Sequence, residues 1–88
     1  MRIWGKLFQD NRMLRDMTVS IEDGDTRTHK VLRALEEICR AWNLNVPIWL
    51  EINIRDFQRY KKTRFTQDSF VGEEIAFDFL ELQVLEED

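Results

Sequence analysis

The stretch from Thr26 to Trp42, TRTHKVLRALEEICRAW, most constrains the fold, because its apolar residues recur at helical spacing. Val31, Leu35, Ile38 and Trp42 stand at i, i+4, i+7 and i+11. Leu32, Ala34, Cys39 and Ala41 widen that stripe, and Lys30, Arg33, Glu37 and Arg40 fill the remaining arc. The pattern predicts an amphipathic helix of about four turns. Asp25 or Thr26 can cap its start, Asn43 and Asn45 are left-handed stops, and Pro47 cannot continue it. His29 falls in the first turn, where the helix dipole disfavours imidazolium, so it reads as a surface or packed histidine.

Such a helix needs a partner layer, and the flanking sequence supplies strands. Arg2 to Gln9 and Arg12 to Glu22 read as a hairpin around Asp10-Asn11, a pair that tolerates the positive φ of a two-residue turn. Uninterrupted pairing would set Leu7 opposite Leu14 and Trp4 opposite Met17. Trp4, Phe8, Met13, Met17 and Val19, with Lys6 and Arg15, would then form the face covered by the helix. Ile3, Leu7 and Leu14 would be left as a small apolar cluster on the other side. A shorter second helix is expected over Asn53 to Lys61 with Asn53 as its cap, followed by an irregular connection from Thr63 to Gly72.

Glu74 to Leu85 reads as the third strand. Ile75, Phe77 and Phe79 alternate on one face, then Leu80, Leu82 and Val84 take the opposite phase, which implies burial on both faces or a bulge. The last three residues, all acidic, read as a solvated tail. The expected architecture is a single α+β domain over residues 1–88. It has a small antiparallel three-stranded sheet, ββαβ with a short helical segment before the last strand, packed on one main helix. The first strand lies between the other two.

Composition limits function more than it specifies it. A chain of 88 residues, 43% hydrophobic and 11% aromatic, folds around one core. With no signal-like or membrane-length apolar run, it reads as cytoplasmic. The single cysteine, Cys39, lies on the apolar helix face and reads as a small buried hydrophobe. The net charge of −4 hides a division: residues 1–72 carry +3 and residues 73–88 carry −7. The basic part could meet the acidic part within one molecule or between two. With the spare Ile3, Leu7 and Leu14 cluster, this leaves monomer and homodimer equally open.

The sharpest local feature is Arg55 to Phe65, RDFQRYKKTRF, five bases among three aromatics. Arg55, Arg59, Lys61, Lys62 and Arg64 could hold phosphates while Tyr60 stacks on an unpaired base, so nucleic-acid binding is one reading. The simpler reading is a solvated helix face whose rings pack inward, and the overall negative charge favours it. Catalysis has little support. Gly5, Gly24 and Gly72 make no phosphate loop, Glu36-Glu37 and Glu73-Glu74 are adjacent pairs that do not face each other on a helix, and no catalytic residue, metal ligand or cofactor motif stands out. A small enzyme with an assembled carboxylate site would need a concave pocket holding carboxylates of displaced pKa.

Pro47-Ile48-Trp49-Leu50, Lys62 to Phe70 (KTRFTQDSF) and Phe77 to Val84 (FDFLELQV) resemble the wording of short, uncharacterised single-domain bacterial proteins. The resemblance spans nearly the whole chain. It implies a stand-alone bacterial cytosolic protein and transfers no functional residue. The sequence therefore points to a small binding or assembly module, with a second copy or another protein as partner.

Overall fold

The computed structural model describes residues 1–87. In chain order it contains β1 (Arg2–Gln9), β2 (Arg12–Ser20), α1 (Arg27–Ala41), α2 (Glu51–Tyr60), β3 (Lys62–Phe65), a 3-10 turn (Gln67–Ser69) and β4 (Phe79–Glu86). The strands form one antiparallel four-stranded sheet in the order β2-β1-β4-β3. The α+β class is as expected, and β1 does lie between β2 and the last strand. The sheet has one strand more than expected, because Lys62–Phe65 pairs with β4 inside the stretch read as irregular connection. The last strand begins at Phe79, not Glu74.

The hairpin turn forms at Asp10 and Asn11, both with positive φ (52° and 64°). Gln9 pairs with Arg12 and Phe8 with Met13, but Leu7 then pairs with Arg15, so Leu14 is an extra residue in the ladder. That bulge shifts the rest of β2, and Trp4 faces Thr18 instead of Met17. Met17 and Val19 consequently lie beside Gly5 and Ile3, on the face opposite to Trp4 and Phe8.

The choice of face is the main correction to the sequence reading. α1 packs on the face of Ile3, Gly5 and Leu7, not on that of Trp4 and Phe8. The physical reason is at Gly5: a Cβ there would stand 2.7 Å from Ile38 Cδ1, so the absent side chain gives α1 its close seat. Ile3 and Leu7 are core residues at 0% and 7% exposure, whereas Leu14 is 51% exposed. The three form no shared surface cluster. Leu80, Leu82 and Val84 of β4 and Phe65 of β3 complete the sheet side of the core, against Val31, Ala34, Leu35, Ile38 and Cys39 of α1.

Capping follows the sequence at α1 and departs from it at α2. Thr26 Oγ1 accepts the His29 N–H (3.2 Å), and Asn43 takes the left-handed conformation (φ 55°) after the last turn. Asn53 is not an exposed cap but a buried residue in the first turn of α2. Its Oδ1 accepts the Leu50 N–H (2.9 Å) and the Ser69 hydroxyl (3.3 Å), and its Nδ2 donates to Thr63 Oγ1 and the Arg64 carbonyl (both 2.9 Å). One amide thus ties α2, β3 and the 3-10 turn together. Trp49 meets Phe57 and Phe65 edge-on and fills the angle between these elements.

The two charged regions meet within the molecule. Lys61 and Arg27 both bind Glu87, Arg2 approaches Glu86 at 3.5 Å, and Arg64 binds Glu81 at 3.1 Å. Glu86 and Glu87 are therefore not a free tail, and Asp88 lies outside the described residues. Among the described residues, no helix is long and apolar enough to cross a membrane.

Candidate functional site

Both helices lie on the Gly5 side of the sheet, through Ile38 of α1 over Gly5 and Asn53 of α2 on Thr63. Among the described residues, no helix covers the other face. Period two places Trp4, Lys6 and Phe8 of β1, Asp16 and Thr18 of β2, Phe79, Glu81 and Gln83 of β4, and Lys62 and Arg64 of β3 on it.

At its centre is an ion pair withdrawn from water. Lys6 Nζ donates to Glu81 Oε2 (2.6 Å) and Gln83 Oε1 (2.9 Å) and stands 3.8 Å from the centre of the Trp4 ring. Lys6 is 8% exposed and Glu81 4%, although no helix lies above them. Neighbouring side chains provide the cover. Phe8 stacks on Phe79 with ring centres 5.0 Å apart, the Arg64 guanidinium lies 4.4 Å over the Phe79 ring, and Trp4 reaches across to Asp16 through Nε1 (2.8 Å). Burial pushes the Glu81 carboxyl upward, but hydrogen bonds from Lys6 and Arg64 and their positive charges outweigh it. The group is held below the ordinary carboxylate range.

The candidates from the basic segment scatter. Arg55 sits one turn along α2 from Glu51 and binds it (3.3 Å), Arg59 lies over the Tyr60 ring, and Lys61 is turned to Glu87. Only Tyr60, Lys62 and Arg64 converge, around a recess of about 190 Å³ that also holds the carboxylates of Asp56 and Glu81. Of the self-association candidates, Ile3 and Leu7 are buried in the core on the helix side of the sheet, and Leu14 stands exposed at the β2 bulge.

A recess of about 510 Å³ between the end of β2 and α1 gathers Glu22, Asp23, Glu36 and Glu37 with Arg33 and Arg40. Asp23 is lowered by a hydrogen bond from Arg33, the direction opposite to that of a carboxyl kept protonated to donate a proton. Among the described residues, no group of three or more His, Cys, Asp or Glu side chains could hold a metal ion. Burial, with the Glu73 charge second, raises the Cys39 thiol to about 11, so this cysteine is an inert core residue.

Sequence reasoning missed the members that matter most. The pattern alone puts Trp4 and Phe8 on the helix-covered face, and it marks neither the Lys6–Glu81 pair nor Asp16. Period two from Leu80 onward was the available signal, since it sends Phe79, Glu81 and Gln83 to the side opposite the core.

No known protein family, curated protein or solved structure matches the chain.

Proposed function

We propose that this chain is a small cytoplasmic binding module that holds a protein partner on the uncovered face of its sheet. The observation that carries the reading is the buried Lys6–Glu81 pair, with the Trp4 ring against Lys6, Arg64 on Glu81 and the stacked Phe8 and Phe79 on the same face, which no helix of the described residues covers. A sheet face that is merely solvated carries polar residues in alternation with the core. Here half-exposed aromatic rings on the two central strands flank the ion pair, and exposed Asp16, Lys62 and Arg64 sit on the two edge strands. Aromatic anchors inside a polar rim are the composition of a protein-binding surface.

Nucleic-acid binding draws less support. Arg55, Lys61 and Arg64 each have a carboxylate partner, which offsets the positive field a phosphate backbone needs.

Photo-crosslinking in the cells that make the protein tests the reading. A benzophenone amino acid at Phe79 should give protein adducts, whether to another copy or to a different protein. The same group at Glu37, exposed on the outer side of α1, should not. Absence of adducts from position 79, or equal yields from both positions, would contradict it.

A further inference from the structure

We infer that the partner is a second copy of this chain, stacked sheet to sheet with the two-fold axis parallel to the strands. The inference rests on the binding-face reading above and comes from the register. Asp16 pairs with Lys6, Lys6 with Glu81 and Glu81 with Arg64, so one row crosses all four strands with alternating sign: minus, plus, minus, plus.

A two-fold axis along the strands sets β2 of one copy over β3 of the other, and β1 over β4. The row then meets itself in reverse. Asp16 faces the partner's Arg64 in a contact that occurs twice, and the buried Lys6 and Glu81 align with opposite charge beneath it without touching the partner. The neighbouring rows agree. The apolar row of Met13, Phe8 and Phe79 lies on its own counterpart, Phe8 over the partner's Phe79. Thr18 lies over the partner's Lys62. A two-fold axis across the strands and through this row would instead set Asp16 on Asp16 and Lys6 on Lys6, so charge selects the first arrangement.

Capacity for new bonds is where this pairing needs it. Lys6 and Glu81 already satisfy each other. Arg64 keeps 61% of its side chain exposed and spends only Nε on Glu81, and exposed Asp16 spends only Oδ2 on Trp4. Three strands of eight or nine residues and the four-residue β3, about 4.8 Å apart, make a face of roughly 450 Å². Two such faces bury roughly 900 Å², in the range of weak, transient interfaces. The dimer should therefore form at micromolar and not nanomolar concentration, and high salt should loosen it several-fold.

Sedimentation velocity over a concentration series, at low and high salt, tests this on the full chain. Asp16→Lys and Arg64→Glu should each weaken association by about tenfold or more, by setting like charges opposite one another. An equimolar mixture of the two variants should recover the dimer, because the Lys at 16 then meets the Glu at 64 of the other chain. Circular dichroism checks that each variant is folded.

A second measurement avoids charge variants. A spin label on Thr18→Cys, in unlabelled chains mixed with nitrogen-15 chains, should broaden the amides of Lys62 and Arg64, while buried Cys39 stays unlabelled. Wild-type protein that remains monomeric at about 1 mM, single variants that associate as wild type does, or broadening confined to the helix layer would each overturn the inference. A monomer that still gives adducts to a different protein from position 79 would end self-pairing and leave the binding face standing.

Discussion

Gly5→Ala tests why the helices lie where they do. The added Cβ would meet Ile38 at three atoms: Cδ1 at 2.7 Å, Cγ2 at 3.1 Å and Cγ1 at 3.4 Å. Ile38 is fully buried, so its terminal methyl cannot swing into solvent, and either the side chain leaves its rotamer or α1 lifts. Overpacking of this kind costs about 1–3 kcal/mol. Restricting the unfolded chain returns about 0.4–1 kcal/mol, so the net loss should be about 1–2 kcal/mol. Ile38→Val removes Cδ1 and alone should cost about 0.5–1.5 kcal/mol. With both changes the 2.7 Å contact disappears and the 3.1 Å contact remains. The double variant should therefore lose about 1 kcal/mol less than the sum of the singles. Urea unfolding by linear extrapolation reads all four proteins. A Gly5→Ala protein as stable as wild type, or losses that add, would refute the close seat of α1 on Gly5.

Three further outcomes follow from the same structure. The Glu81 carboxyl is held below its ordinary value of 4.5 in the folded state, so its stabilising effect is complete above that pH and is lost as pH falls through the lower folded value. The urea midpoint of wild type should fall more steeply than that of Glu81→Gln below about pH 4.5, and parallel curves would remove this carboxylate from the account. Asn53→Ala leaves the Leu50 N–H and the Arg64 carbonyl without their partner. It should cost about 2–4 kcal/mol and speed exchange of the β3 amides, whereas a change confined to the start of α2 would show that the amide does not join the elements. Cys39, buried and raised to about 11, should react with a disulfide reagent only as fast as the chain opens. Prompt labelling under native conditions would place it elsewhere.

Local signals in the sequence were reliable where one residue type answers one backbone need. Asp10 and Asn11 take the left-handed turn, Thr26 caps α1 and Asn43 ends it, as their side chains foretell. Relations between distant residues were harder to read. The bulge at Leu14 has no glycine to mark it, and it moves Met17 and Val19 to the other face. Trp4 and Phe8 outweigh Ile3, Gly5 and Leu7 in apolar surface, so bulk pointed to the wrong side. A helix needs close approach, and Gly5 provides it. β3 is four residues long and alternates two exposed bases with Thr63 and Phe65, which hides it inside a basic segment. The Lys6–Glu81 contact exists only once β1 and β4 are in register, and the same holds for the charged row across the sheet.

One side of β1 holds the fold, and the other is the side proposed to hold a partner. Urea unfolding of Leu7→Ala and Phe8→Ala, at protein concentrations low enough to keep the chain monomeric, measures that division at adjacent residues. Leu7→Ala, buried in the core on the helix side of the sheet, should cost about 2–5 kcal/mol. Phe8→Ala should cost about 1 kcal/mol, chiefly its stacking on Phe79. Equal losses at the two positions would mean that the Trp4, Phe8 and Phe79 face is core, and would contradict the binding face.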